Sequence, residues 1–229
     1  MTGPPGPVIR RSTYGRRHAV ATHDSAGRGR YDGRRCGVNA RDVRATLRYV
    51  HPPMDRSELA RRIHAVAHLT GKFTLRSGAV SDEYFDKYRF EADPGLLHAI
   101  AAAMAPMVPL GIDAVAGLEL GGVPLATMLS QVTGVPARFV RKEAKTYGTC
   151  QLAEGGALDG LKLLIVEDVV TSGGAVLDAV AALRDRGAVA DRVVCVIDRE
   201  AGGVDKLASA GLELDALFTM RELNAAGAR

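Results

Sequence analysis

The stretch Leu163-Leu164-Ile165-Val166-Glu167-Asp168-Val169-Val170-Thr171-Ser172-Gly173-Gly174-Ala175 decides the reading of this 229-residue chain. Leu163 to Val166 is a short unbroken apolar run, which suits a strand buried on both faces of a parallel sheet. Glu167 and Asp168 stand where that strand is expected to end. Thr171-Ser172-Gly173-Gly174 then opens a helical segment with apolar positions Val176, Leu177, Val180 and Leu183. A glycine-rich turn between a strand and a helix offers backbone N–H groups and the positive end of a helix dipole to a phosphate. Carboxylates beside such a cradle repel a polyphosphate, so they suit sugar hydroxyls or a metal-bearing ligand. The combination points to a phosphorylated sugar, its phosphate on the loop and its hydroxyls on Glu167 and Asp168. No Gly-Lys-Ser/Thr follows, so the loop is not a Walker loop.

Strands and helices alternate on both sides of this stretch. Asp113 to Gly117 reads as a strand, Gly122 to Val132 as the helix after it, and Ala137 to Val140 as a short strand. Beyond the central motif, Gly187 is placed to end the helix in the glycine C-cap position. Val193 to Ile197 is another buried strand and Leu212 to Phe218 the last, with a small-residue tail from Asn224 expected to fray. The alternation predicts an α/β chain with a mainly parallel central sheet flanked by helices. Ligands in such sheets sit beyond the carboxyl ends of the strands, where Gly117, Arg141, Glu167 and Arg199 all fall, so four loops are expected to converge on one site.

Composition sets the limits of that reading. A hydrophobic content of 47% is ample for a core, and one domain with an appendage is expected at this length. No apolar run approaches the roughly 18 residues of a membrane span, and no signal peptide is visible. Cys36, Cys150 and Cys195 are sparse, odd in number and without metal-ligand spacing, which fits a reduced, cytoplasmic set. The net charge of +4 belongs to residues 1–53, which are rich in Arg and contain neither Lys nor Glu; residues 54–229 are mildly acidic. That leader holds Gly3-Pro4-Pro5-Gly6-Pro7 and few large apolar residues, so disorder is expected. A nucleic-acid tail, a transit peptide and sequence upstream of a misassigned start compete for it. The last is favoured, because a compact start follows at Met54.

From Met54 the pattern changes. Asp55 or Ser57 is placed to cap a helix with apolar positions Leu59, Ile63, Val66 and Ala67. His64 and His68 are four apart, but no third metal ligand accompanies them, so a surface or packing role is expected. Gly71 to Gly78 alternates like a half-buried strand turning at Ser77-Gly78. Ser81 to Asp86 sets Tyr84 and Phe85 among polar residues, and Asp93-Pro94 is a helix start with Leu96, Leu97, Ile100 and Met104 as its buried stripe.

Three resemblances now attach. The stretch from Leu163 to Ala175 resembles the signature with which type I phosphoribosyltransferases bind phosphoribosyl pyrophosphate (PRPP). Phe73-Thr74-Leu75-Arg76-Ser77-Gly78, followed by Ser81 and the Tyr84-Phe85 pair, is similar to the N-terminal hood of orotate phosphoribosyltransferases. Arg141-Lys142-Glu143-Ala144-Lys145, opening a long loop to Asp159, resembles that family's Arg-Lys-x-x-Lys catalytic loop. The resemblance implies the type I fold with a small N-terminal hood over residues 54–229. It also implies transfer of the phosphoribosyl group from PRPP to orotate, giving orotidine 5′-phosphate and diphosphate in pyrimidine synthesis. It assigns Lys142, Lys145, Arg141 and Asp168 to catalysis, and Arg76, Arg141, Lys142, Lys145 and the run from Glu167 to Ala175 (Glu167, Asp168, Val169, Val170, Thr171, Ser172, Gly173, Gly174, Ala175) to PRPP. Tyr84, Phe85, Thr171 and Arg199 fall to orotate, with Arg199 on its carboxylate. Mg2+ is implied, held mainly through PRPP rather than by protein ligands, as is a homodimer whose loops serve each other's sites.

The chain departs from the family twice. Many relatives carry a lysine near Gly121 in the pyrophosphate-side loop, and this chain does not; Thr146-Tyr147 stands where many have Asp-His. A phosphoribosyltransferase for purines or other bases, and a nucleic-acid-binding regulator on the same fold, are the alternatives. The hood pattern and Arg199 argue against the first, and only the basic leader supports the second.

Overall fold

The computed structural model describes residues 54–74, 78–143 and 152–228. The leader, Arg76, Lys145 and the Thr146-Tyr147 pair lie outside the described residues. The first helix, α1 (Arg56–Ala67), begins at Asp55, whose carboxylate accepts from the Glu58 N–H at 2.8 Å. Of the two capping candidates it is therefore Asp55 that caps, while the Ser57 hydroxyl donates to it. β1 (His68–Thr74) follows at once and pairs antiparallel with β2 (Val80–Phe85), with a bulge between Thr70 and Phe73. His68 thus starts a strand instead of continuing the helix, and its ring stacks on His64 at 4.6 Å. A single helical turn, α2 (Tyr88–Glu91), completes this hood. In α3 (Pro94–Met104) the Asp93 carboxylate accepts from the Gly95 and Leu96 N–H groups, with proline in the first turn, as the sequence predicts.

The main sheet has six strands in the order β5-β4-β3-β6-β7-β8. These are β3 (Ala114–Leu118), β4 (Ala137–Val140), β5 (Ala153–Glu154), β6 (Lys162–Val170), β7 (Val189–Asp198) and β8 (Glu213–Thr219). All run parallel except β5, which turns back along β4 and breaks the expected long loop with a two-residue edge strand. The crossovers are α4 (Gly122–Thr133), α5 (Gly174–Arg184) and α6 (Gly203–Ala208).

Strand alternation builds two cores. Leu164, Val166, Val194 and Val196 face Leu59, Leu96, Leu125 and Leu223 on one side. Leu163, Ile165, Val193 and Cys195 face Val176, Val180, Leu183 and Leu207 on the other. A strand covered on both faces has no polar side, which is why Leu163 to Val166 reads as an unbroken apolar run.

Gly187, with φ of 83°, closes α5 in a Schellman arrangement: Ala188 N–H donates to the Leu183 carbonyl and Gly187 N–H to that of Arg184. The tail does not fray at Asn224. A capping box between Thr219 and Glu222 starts α7 (Met220–Gly227), whose Leu223 is fully buried.

Two features at the strand ends matter for the site. β6 does not stop before the acidic pair but runs to Val170, because β7 pairs with it as far as Asp198. Glu167 and Asp168 are therefore strand residues that turn to different surroundings. β3 lies at the sheet's switch point: the chain leaves it for β4 on one side and later takes up β6 on the other. The loops after β3 and β6 diverge there and open a crevice.

Candidate active site

A cleft of about 650 Å3 fills that crevice. Its floor is the phosphate loop. Thr171 and Ser172 follow β6, and Gly173 at φ 73° delivers the chain into α5, whose first turn no side chain caps. The N–H groups of that turn are thereby left to a ligand. Behind the loop, α6 packs so closely that a Cβ on Gly203 would lie 2.7 Å from the Thr171 carbonyl oxygen. The loop is held from below and open above.

One wall comes from the ends of β3 and β4. Glu119 lies in the loop after β3, and its carboxylate accepts from the Lys142 N–H at 2.9 Å. Arg141 N–H donates to the Leu152 carbonyl at 2.8 Å, and its Nε is buried with no partner among the described residues. Arg141, Lys142, Glu119, Glu167, Val169, Val170 and the loop from Thr171 to Ala175 all line the cleft. Three of the four strand ends expected to converge therefore do so.

The acidic pair divides. Glu167 lines the cleft, whereas Asp168 is fully buried. Lys87 and Glu91, two hood residues to which the sequence reading gave no role, account for this. Lys87 Nζ lies 2.6 Å from Asp168 Oδ2. A Cβ built on Gly121 would sit 1.6 Å from the same oxygen and 2.9 Å from Glu91 Oε1. Glycine at 121 is required by this packing, since any side chain there would displace the Asp168 carboxylate.

The charges are mutually dependent. Burial, reinforced by a hydrogen bond to Asp168 and by its charge, pushes Glu91 up to about 9. Burial and the same neighbour push Glu167 well above the usual carboxyl range. Burial also works to raise Asp168, but hydrogen bonds from Glu167, Glu91 and Lys87 outweigh it and leave its pKa lowered. For Lys87, burial works to lower the pKa and the bond to Asp168 outweighs it, so the net shift is upward. The shifts thus favour the protonated forms of Glu91 and Glu167 beside an ionised Asp168 paired with the Lys87 ammonium. These shifts lower the negative charge on the acidic side of the cleft and so weaken the repulsion of a polyphosphate that its composition suggests.

The remaining expected site residues stand apart. Arg199 follows β7, its N–H donating to the Val170 carbonyl at 2.9 Å, and its exposed side chain does not line the cleft. Tyr84 is exposed and stacks obliquely on Phe73 with ring centres 5.4 Å apart. Phe85, the next strand residue, is half-buried and packs on the core. A signal for the two missed residues did exist: Lys87 and Glu91 are four apart at a helical turn, so both point the same way. Nothing in the sequence says at what.

Known proteins resemble this chain in sequence and in fold. A family model described as a phosphoribosyl transferase domain matches residues 90–215. An orotate phosphoribosyltransferase from a Nocardioides species is 56% identical over 168 residues, covering 73% of this chain and 94% of that protein. Its counterpart from Halobacterium salinarum is 47% identical over 153 residues, covering 67% of this chain and 87% of the other. Among solved structures, Mycobacterium tuberculosis orotate phosphoribosyltransferase in complex with Fe(III) dicitrate superposes with a TM-score of 0.68 at 33% identity, covering 74% of this chain and 99% of that one. The same enzyme in complex with PRPP gives 0.65 at 29% identity, covering 75% and 99%.

Proposed function

The chain belongs to the orotate phosphoribosyltransferase family, and from that premise we propose how its own residues carry out the family's reaction. The reaction joins orotate to PRPP and yields orotidine 5′-phosphate and diphosphate in pyrimidine biosynthesis. The observation that carries the residue assignment is the uncapped α5 N-terminus on the floor of a cleft at the sheet's switch point.

The 5′-phosphate of PRPP rests on the N–H groups from Thr171 to Ala175, where no side chain competes for them. The ribose lies over Glu167, whose carboxyl accepts from its hydroxyls. This orients the anomeric carbon towards the wall that bears Arg141 and Lys142; Lys145 and Arg76, outside the described residues, share their task by the family likeness. As the bond to diphosphate lengthens, positive charge builds on the sugar and negative charge on the leaving group. The cations of the loop stabilise the latter, and its closure excludes water that would compete with orotate. Orotate enters from the hood side: the family likeness assigns Tyr84, Phe85 and Thr171 to its ring and Arg199 to its carboxylate, and of these Thr171 lines the cleft.

The cleft fits a Mg2+ that arrives on PRPP and is held mainly by it: Glu119, which lines the cleft, would offer an oxygen donor of the kind Mg2+ prefers. When bound, the ion neutralises diphosphate charge. The reading includes a homodimer with shared sites, supported by the likeness of the loop at Arg141 to Lys145 and by the exposure of Leu120 beside the cleft. It also includes a cytoplasmic location, supported by the unpaired Cys195. No helix among the described residues is long and apolar enough to cross a membrane.

Turnover of orotate with PRPP and Mg2+ by the purified full chain tests the reading. Consumption of orotate dependent on both is expected. Consumption of a purine base in its place would refute the assignment of the base.

A further inference from the structure

One cation of the cleft has no task in the reaction as described. Lys87 is the one hood residue, among those described, that lines the cleft. Its place is built in. Asp86 N–H donates to the Ala67 carbonyl at 2.8 Å, which fixes the end of β2 against α1. Lys87 then adopts a helical conformation and Glu91 lies one turn on, so both side chains run towards the end of β6. There Lys87 Nζ meets Asp168 Oδ2 at 2.6 Å, in the space that a side chain at position 121 would need. The lysine side chain is one-third exposed although its partner is wholly buried. An ammonium has three donors, and the contact with Asp168 leaves others for the cleft.

The floor of the cleft already receives the 5′-phosphate. Lys87 instead meets Asp168, whose Oδ2 lies against Gly121 in the loop after β3, and that loop leads through Glu119 to Lys142 and Arg141 on the diphosphate side. We propose that Lys87 is a PRPP-binding residue: from the hood it sets its ammonium against the diphosphate, supplying the positive charge that this chain lacks near Gly121, and Asp168 with Glu91 holds it in place. Glycine at 121 and lysine at 87 are then two halves of one arrangement, because the first makes room for the anchor of the second. The bond to Asp168 keeps Lys87 charged in spite of its burial. The inference rests on the PRPP site proposed above.

Calorimetric titration separates the two claims. Inorganic diphosphate with Mg2+ probes the end assigned to Lys87, and ribose 5-phosphate probes the floor. Lys87→Met should weaken diphosphate by about ten- to a hundredfold, the loss of a charge-assisted hydrogen bond, and ribose 5-phosphate by less than about twofold. Lys87→Arg, which keeps the charge, should recover most of the diphosphate affinity. Equal weakening of both ligands would make Lys87 a structural counterion of Asp168, and an unchanged diphosphate affinity would remove it from the site; either overturns the proposal. Wild-type protein that binds neither ligand would instead refute the PRPP site itself. Lys87→Met strands a buried carboxylate and is open to misfolding. The pair Asp168→Asn and Lys87→Met/Asp168→Asn carries no such charge, and there too diphosphate should bind about tenfold or more weaker without the lysine; equal affinities overturn the proposal.

Discussion

Glu91→Gln should make the protein more stable, and increasingly so as the pH rises. In the folded chain Glu91 keeps its proton up to about 9, while an unfolded glutamate releases it near 4.5. Between those values the folded state binds one more proton than the unfolded state at this site. Stability from this group therefore falls with rising pH, by at most about 1.4 kcal/mol per unit. From about pH 6 to about pH 8 the loss reaches up to roughly 2.7 kcal/mol. Relaxation of Lys87, Asp86 and Asp168 around the site lowers this, and about 1 kcal/mol is a safe lower figure. Glutamine has the same shape, carries no proton to release, and its amide donates to Asp168 as the protonated carboxyl does. Urea unfolding of both proteins at several pH values, compared as the difference between them, cancels the other titrating groups, Glu167 included. That difference should widen in favour of the glutamine variant by about 1–2.7 kcal/mol across the range. A constant difference would show that Glu91 is ionised in the folded protein and that the neutral acidic wall is wrong.

Three further outcomes are expected, the first from the same geometry and the other two from the proposed roles of Arg199, Lys145 and Asp168. Gly121→Ala should lower stability by about 1–3 kcal/mol and abolish turnover, since its Cβ would fall 1.6 Å from Asp168 Oδ2; thermal melting and an activity assay check both. Arg199→Ala should weaken orotate by about ten- to a hundredfold while leaving PRPP nearly unchanged, and equal weakening of the two would place Arg199 outside the base pocket. Lys145→Ala and Asp168→Ala, each nearly inactive alone, should recover activity when mixed under conditions of subunit exchange, up to about half the wild-type value per mixed dimer. No recovery after exchange verified by mass would mean that each loop closes over its own subunit's site.

The neutralised acidic wall bears on how a polyanion enters. Paired carboxylates next to a phosphate cradle oppose binding if both are ionised. Here the upward shifts of Glu91 and Glu167 and the pairing of Lys87 with Asp168 reduce that charge, which in the proposed reading lowers the penalty for PRPP. The same arrangement ties the hood to the sheet through a contact that lies inside the site, so a change in either is felt by the other.

The sequence by itself determined the parallel sheet, the phosphate loop and the convergence of Arg141, Glu167 and the β3 end. These depend on local order: an apolar run means a strand buried on both faces, and glycines after it mean a helix N-terminus open to phosphate. The caps at Asp55, Asp93 and Gly187 were legible for the same reason, since each bonds to backbone within a few residues. The capping box at Thr219 was equally local, and small residues after it obscured the helix. What only the tertiary structure decided is which way each acidic residue faces and what it meets. The length of β6 depends on β7, a partner far along the chain, and that pairing sends Asp168 inward to Lys87 while Glu167 lines the cleft. The need for glycine at 121 comes from residues 30 and 47 positions away, Glu91 and Asp168. Proton affinities in the site arise from burial and from these contacts across the fold. Neither exists until the hood closes on the sheet, and no spacing along the chain encodes them.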